Sequence, residues 1–261
     1  MRPSYVIGAI GVALAVVAII QFWPADKPQS EPVAAPISVP VEIPLTPRQI
    51  EPEPVLPVEE VAEIVSEPEV ELPALAESDD FLLAQIQQWS LPSAWLQRED
   101  LLSRAAVIVQ NAADGRVPRQ QIAFLTPAEA FQVVEEGEQL FVDPVSYTRY
   151  DTYIEMLEAI PPAQLAKLVN LVAPLLGDAF ALLGDTRRPR ELLLSSLKRI
   201  VELPELPGRV ALLRPAVMYI YADPRLEALP EFDKQLLRMG PENISRLQSY
   251  LIEFKGYYLS D

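Results

Sequence analysis

The chain of 261 residues contains neither cysteine nor histidine. These two absences exclude disulfides, a lipid-modified cysteine, zinc sites built from such side chains, cysteine nucleophiles and Ser-His-Asp triads. A folded part of about 180 residues still buries enough apolar surface to be stable without disulfides, so the lack of cysteine does not by itself fix the compartment. We expect no metal and no cofactor.

Basic side chains are also scarce. Lysine and arginine number 21 against 37 aspartates and glutamates, which gives a formal net charge of −16. Acidic residues exceed basic ones both in residues 24–77 and in residues 78–261. Because an acidic surface repels a phosphate backbone, we expect no nucleic-acid partner.

A single long hydrophobic run is present near the N-terminus. Tyr5–Trp23 contains no charged residue and has aromatic rings at both ends. At about 1.5 Å per residue it nearly matches a hydrocarbon core of about 30 Å, which predicts a transmembrane anchor in residues 1–23. The alternative is a cleaved signal peptide, but Pro24 follows the run directly, where cleavage needs small residues. Arg2 before the run favours a cytoplasmic N-terminus.

Residues 24–77 contain twelve prolines and no glycine. Proline recurs at every fourth residue from Pro24 to Pro44, a spacing that blocks helix formation and favours extended polyproline II structure. The pattern predicts a disordered linker rich in proline and glutamate, which spans up to about 170 Å at ~3.1 Å per residue. Docking of a proline-reading module at Pro44–Arg48 is the alternative.

Helical periodicity dominates residues 78–261, and we expect a mostly α domain there. Ser78 followed by two aspartates predicts a helix N-cap and the domain boundary. Apolar residues recur at helical spacing in three segments and predict core faces. These residues are Leu165, Leu168, Val169, Val172, Leu175, Leu176, Ala179 and Leu183; Leu193, Leu197, Ile200 and Val201; and Ile244, Leu247, Leu251, Phe254 and Tyr258.

One segment departs from the helical pattern. Residues 131–142 contain two short runs that favour β-structure on either side of Gly137. A glycine between two such runs is typical of a hairpin turn. The sequence therefore predicts a small β-hairpin within the helical domain.

Three motifs, in order along the domain, carry a resemblance to a known family. They are residues 140–151 (LFVDPVSYTRYD), residues 203–227 (LPELPGRVALLRPAVMYIYADPRLE) and residues 237–243 (LRMGPEN). The chain resembles an uncharacterised proteobacterial family known as domain of unknown function 3014 from about Ser78 onwards. This resemblance implies an inner-membrane anchor, a proline-rich arm and a periplasmic helical domain, and it implies no activity.

Polar residues within these motifs are the candidate binding site. One interpretation is structural, because arginine–carboxylate pairs and acids at helix starts stabilise a fold without any ligand. The other is that Arg149, Arg214 and Arg238 converge on a pocket for an anionic envelope component, with Tyr150 and Tyr219 as its walls. The full candidate set is Arg149, Tyr150, Asp151, Arg214, Tyr219, Asp223, Arg238, Glu242 and Asn243.

Two further features leave alternatives open. Arg187, Arg188 and Arg190 form a basic run, which is either a solvated loop or a contact for phosphate or an acidic partner. Two carboxylates would suffice for hydrolysis of cell-wall glycan, but no motif places a pair in an apolar cleft. We therefore expect a binding or scaffolding module with an envelope protein or cell-wall partner, not an enzyme.

Overall fold

The computed structural model describes residues 70–89, 99–123 and 126–260. The predicted anchor and almost all of the predicted linker lie outside these residues. Within them the fold is mostly helical, as the sequence predicts. The helices are α1 (Ser78–Ile86), α2 (Leu101–Ala113), α3 (Arg119–Ile122), α4 (Val145–Thr148), α5 (Asp151–Glu158), α6 (Pro162–Leu171), α7 (Ala173–Leu182), α8 (Pro189–Val201), α9 (Pro224–Glu227), α10 (Glu231–Leu237) and α11 (Gly240–Ser260).

Strands β1 (Val133–Glu136) and β2 (Gln139–Val142) form the predicted hairpin. Gly137 has φ +63° in its turn, a conformation that glycine adopts without strain. The hairpin extends into a four-stranded antiparallel sheet through β3 (Ala211–Leu213) and β4 (Ile220–Tyr221), in the order β1-β2-β3-β4. The sheet beyond the hairpin was not predicted.

Helix packing forms the core beside this sheet. α11 lies along α6, and α2 packs against α7 and α8. The residues of the three predicted stripes are buried, except that Val201 is partly exposed and Leu183 is 40 % exposed beyond the end of α7. The prediction that Leu183 belongs to a core face is therefore wrong, because α7 ends one residue before it.

The first stripe also spans two helices. α6 and α7 meet at an angle of 60°, and Pro174 in the first turn of α7 explains the break, because proline lacks the N–H that would continue α6. No single helix in the described ranges has the length and hydropathy needed to cross a bilayer, although this bent pair together passes that test.

The start of α1 differs from the prediction in its capping. Ser78 is the first residue of α1, not its N-cap, and its hydroxyl donates to the carbonyl of Leu75 at 2.7 Å. Asp79 instead accepts hydrogen bonds from the backbone N–H groups of Asp100 at 2.7 Å and Leu101 at 2.9 Å. Its carboxylate therefore satisfies the first free N–H groups at the start of α2, where the helix dipole also favours an acid.

Replacement of this carboxylate tests the capping contact. Asp79→Ala should lower the free energy of unfolding of the full-length chain by about 1 kcal/mol, the usual effect of losing a helix N-terminal acceptor. Asp80→Ala is the matched control, since Asp80 is exposed and makes no such bond. Urea titration followed by circular dichroism measures both, and equal losses would contradict the capping role.

Candidate functional site

One face of the sheet forms the floor of a cavity of about 440 Å³. Val142 donates its N–H to the carbonyl of Val210 at 2.9 Å, and Leu212 pairs with Tyr221. Since side chains alternate between the two faces of a strand, Val142, Val210, Leu212 and Tyr221 point to the same side. All four line this space, which we call the aromatic cavity.

Tyr147 and Tyr150 form one wall of the aromatic cavity, and Leu237 and Arg238 at the end of α10 form another. The backbone of Gly240 allows Tyr147 to lie close to it. Gly240 has φ +83°, and a Cβ atom placed there would overlap Cγ of Tyr147. The turn into α11 thus fixes the position of a cavity wall.

Arg149 is held at the cavity by backbone and aromatic contacts. Its Nε donates to the carbonyl of Ser146 at 2.7 Å, and its Nη1 donates to the carbonyl of Glu129 at 3.0 Å. The guanidinium lies 5.6 Å from the ring centroid of Phe131 and 5.2 Å from that of Tyr150. Such cation–π geometry fixes the charge at the cavity without neutralising it.

Arg238 is the second cation that lines the aromatic cavity. Its Nη1 donates to Oε1 of Gln235 at 2.8 Å. The charges of Arg149 and Arg238 both lower the pKa of Tyr150, although burial outweighs them and raises it overall. Both arginines thus line the cavity that also contains this phenol.

Burial keeps two of the cavity tyrosines neutral at physiological pH. It raises the pKa of Tyr147 to about 12, and it also raises the pKa of Tyr221. Tyr150 is only 2 % exposed, and the guanidinium of Arg149 lies 5.2 Å from the centroid of its ring. A buried phenol of this kind is a donor for a group inside the cavity.

Tyr219 extends the aromatic surface towards solvent. Its ring centroid lies 6.0 Å from that of Phe131, and the guanidinium of Arg214 lies 5.3 Å from it. Arg214 itself is exposed and does not line the cavity. Of the three arginines predicted to converge, Arg149 and Arg238 thus meet at the aromatic cavity, and Arg214 contacts only its outer edge.

The other candidates lie away from the cavity and stabilise helix ends. Asn243 is buried, and its Nδ2 donates to Asp151 at 2.8 Å and to the carbonyl of Tyr147 at 3.2 Å, which joins the starts of α5 and α11. Asp223 caps α9 by accepting from the N–H of Arg225 at 2.9 Å. Glu242 is exposed in the first turn of α11, where the helix dipole favours an acid.

The basic run is largely occupied by contacts within the protein. Arg187 pairs with Asp185 at 2.6 Å and Asp114 at 2.9 Å, and Arg188 pairs with Glu191 at 2.6 Å. Arg190 lies over the ring of Tyr258. These contacts favour a surface loop with its own ion pairs over a phosphate site.

The family described as a protein of unknown function, DUF3014, matches residues 101–255, which is more than half of the chain. The chain belongs to this family. No curated protein and no solved structure matches it significantly. The family match includes every residue of the cavity floor and walls described above, but it brings no activity with it.

Several cavity residues were not among the sequence candidates. Phe131, Tyr147 and Tyr221 line the cavity beside the predicted Tyr150 and Tyr219. Tyr147 and Tyr221 lie within the first two family motifs, two or three residues from a candidate arginine or tyrosine. Their aromatic character was the available signal, but their shared location depends on the pairing of β2, β3 and β4.

Proposed function

We propose that the chain is a membrane-anchored binding module of the cell envelope that holds a ligand with an anionic group in the aromatic cavity. The proposal rests on one observation above all. Arg149 and Arg238 approach the buried hydroxyl-bearing ring of Tyr150 inside a cavity whose floor is apolar. Two cations and a phenol donor that line one cavity favour an anion, because charge-assisted hydrogen bonds are stronger than those between neutral groups.

The cellular location in this proposal is inferred from the sequence. Tyr5–Trp23 has the length and composition of a single-pass anchor, and the family resemblance favours an inner membrane with the folded domain in the periplasm. Residues 24–77 would then separate the domain from the bilayer. Binding at a distance from the membrane suits an envelope protein or a cell-wall component as partner.

Binding is favoured over hydrolysis by the charges at the cavity. Among the described residues that line it, Glu129 is the one carboxylate. Hydrolysis of glycan by carboxylates uses a pair about 5 to 10 Å apart on either side of the bond. The aromatic cavity offers cations and phenols at its walls, which suit recognition of an anion.

A photo-crosslinker at the cavity rim tests the proposal in cells. Val217 lines the rim and is 77 % exposed, so benzoylphenylalanine at this position leaves the cavity walls unchanged. In Gram-negative cells that express the full-length chain, we expect a recurrent adduct that Arg149→Gln/Arg238→Gln reduces at least tenfold, because both cations are lost.

The matched control is Arg188→Gln/Arg225→Gln, which removes the same charge from two exposed side chains. This control should keep the adduct at the wild-type level. Circular dichroism checks that all variants remain folded. An adduct that is equally strong in both double variants, or no adduct with folded wild-type chain, would contradict a cavity that binds an anion.

A further inference from the structure

We infer that β1 is an interface strand, at which the sheets of two copies of this chain pair antiparallel about a twofold axis. This inference goes beyond the proposed function, because it concerns the free edge of the sheet and not the ligand of the aromatic cavity. It depends on the hydrogen bonds at the two sheet edges and on the charges that a second copy brings together.

The sheet has two edge strands, β1 and β4. A strand that adds to a sheet bonds to the free N–H and carbonyl groups of an edge strand. At β4 the N–H of Tyr221 already donates to Oε2 of Glu227 at 2.9 Å. Lys234 contacts the other oxygen of this carboxylate at 2.7 Å. The edge at β4 is therefore occupied, and an added strand must use β1.

The backbone groups at the outer edge of β1 are free. Opposite residues in an antiparallel pair alternate between those that exchange hydrogen bonds and those that do not. Val133 lies opposite Val142, whose N–H donates to Val210 on the other side. The N–H and carbonyl of Val133 therefore point outwards, as do those of Glu135 two residues later. None of the described residues bonds to these groups.

The charge at this edge selects one register for a second copy. Glu135 is exposed and forms no ion pair with any residue that the structure describes. When Val133 pairs with Val133 of the second copy, Glu135 lies opposite Phe131 of that copy. Opposite residues of an antiparallel pair share one face of the sheet, and their Cα atoms lie about 5.5 Å apart when they exchange hydrogen bonds. The Glu135 carboxylate thus comes beside this ring.

Phe131 is the residue beside which Arg149 places its charge. The guanidinium lies 5.6 Å from the centroid of the Phe131 ring. Its hydrogen bonds go to backbone carbonyls, and no carboxylate in the described ranges pairs with it. Further N–H groups of its five remain for a carboxylate. Glu135 of the second copy supplies that carboxylate, and the twofold axis forms the contact twice.

Like charges do not meet in this register. Glu136 is the other acid of β1, and it is paired with Arg209 at 2.6 Å and 2.8 Å. Because side chains alternate along a strand, it points to the opposite face from Glu135. The two copies of Glu135 lie four residues apart along the strands, roughly 13 Å. The edge of β1 is therefore complementary to itself.

Cysteine crosslinking tests the pairing, since the chain has no cysteine of its own. The full-length chain with Val133→Cys is expressed in Gram-negative cells, and isolated membranes are oxidised with copper phenanthroline. We expect a disulfide-linked dimer on a non-reducing gel, because a Cα separation of about 5.5 Å permits a disulfide. Glu135→Cys should give about fivefold less dimer, since roughly 13 Å exceeds that range. Leu182→Cys, at a side chain that is 79 % exposed at the end of α7, measures random collision.

Two variants in the Val133→Cys background test the contacts that hold the pair. Glu135→Lys should reduce the dimer about fivefold, because a lysine then faces Arg149 of the second copy. Glu138→Lys makes the same change of charge at an exposed turn residue and should leave the dimer unchanged. Glu135→Pro removes an outward N–H that β2 does not use, so the chain should fold and lose the dimer. Circular dichroism checks the folding of each variant.

The outcomes that overturn the inference are distinct. Equal crosslinking of Val133→Cys and Leu182→Cys, or no crosslink with a folded chain, would overturn the interface. A dimer that Glu135→Lys leaves unchanged would overturn the register. A crosslinked product of another mass would assign this edge to a different protein and overturn the pairing of copies. The photo-crosslink from position 217 tests the proposed function separately.

Discussion

Replacement of Gly240 by alanine should destabilise the domain by about 2–5 kcal/mol. One part is the left-handed backbone, φ +83°, which costs an L-residue with a side chain about 1–2 kcal/mol. The other part is steric, because the new Cβ would lie 2.7 Å from Cδ1 and 2.8 Å from Cβ of Tyr147 and overlap its Cγ. Forcing an extra carbon into a packed site costs about 1–3 kcal/mol. Urea titration of the full-length chain measures the loss.

Two comparisons divide this loss into its parts. Gly184 has φ +73° and no atom near its missing Cβ, so Gly184→Ala should show the backbone part alone. In a Tyr147→Gly background, Gly240→Ala should likewise fall to about 1–2 kcal/mol, because Cβ, Cγ and Cδ1 of residue 147 are all removed. If Gly240→Ala lowers the free energy of unfolding no more than Gly184→Ala does in the wild-type background, Tyr147 does not pack against Gly240 as described.

The same substitution should also affect the cavity. Tyr147 is a cavity wall, and a Cβ at position 240 can be accommodated only if this ring moves. The photo-crosslink from position 217 should therefore weaken in Gly240→Ala at a temperature where the variant remains folded. Gly184→Ala should leave the crosslink unchanged.

The sequence predicts the helices better than any other part of this fold. The periodic apolar residues of α8 and α11 are almost all buried, because a sequence period near 3.6 directly encodes one helix face. The break between α6 and α7 is less visible in such a pattern, since both helices continue the same periodicity. Pro174 was the signal for it.

The sheet beyond the hairpin was much harder to predict. β1 and β2 are joined by a local turn, whereas β3 contains three residues and β4 only two. Such short strands show no resolvable alternation of apolar and polar residues. Their pairing depends on a contact across the chain from Val142 to Val210, which no local pattern reveals.

The residues of the candidate site also differ in how well the sequence predicts their location. Arg149, Tyr150, Tyr219 and Arg238 were predicted from motifs, and the structure places all four at one cavity. That they bind a ligand stays a prediction. Asp151, Asp223 and Asn243 instead make contacts that stabilise helix ends. Acids and amides can either bind a ligand or cap a helix, and the sequence alone does not distinguish these two roles.

The second large effect is expected at Arg199, which joins three helices away from the cavity. Its Nη1 donates to both carboxylate oxygens of Asp233 at 3.2 Å, and its Nη2 donates to the carbonyl of Ala113 at 3.4 Å. Asp233 is only 7 % exposed. Arg199→Met keeps most of the apolar stem and leaves this carboxylate buried without its cation. We expect a loss of about 3–5 kcal/mol at pH 7, the usual effect of breaking a buried pair.

Replacing both partners should be far less harmful than replacing one. Arg199→Met/Asp233→Leu leaves no buried charge, and such apolar replacements of a buried pair are often neutral. Arg225→Met, at a side chain that is 91 % exposed, should change stability by less than about 1 kcal/mol. A double variant as unstable as Arg199→Met would show that packing, and not charge, dominates at this position.

The pH dependence gives a separate check on the charge. Burial raises the pKa of Asp233, and the positive charge of Arg199 opposes this rise. In Arg199→Met the pKa should increase further above the unfolded value of about 3.9, so as the pH falls the folded state takes up a proton before the unfolded state does. The deficit of this variant relative to wild type should therefore shrink as the pH falls from 7 towards 4.5. A deficit that is equal at both pH values would show that Asp233 does not carry the uncompensated charge.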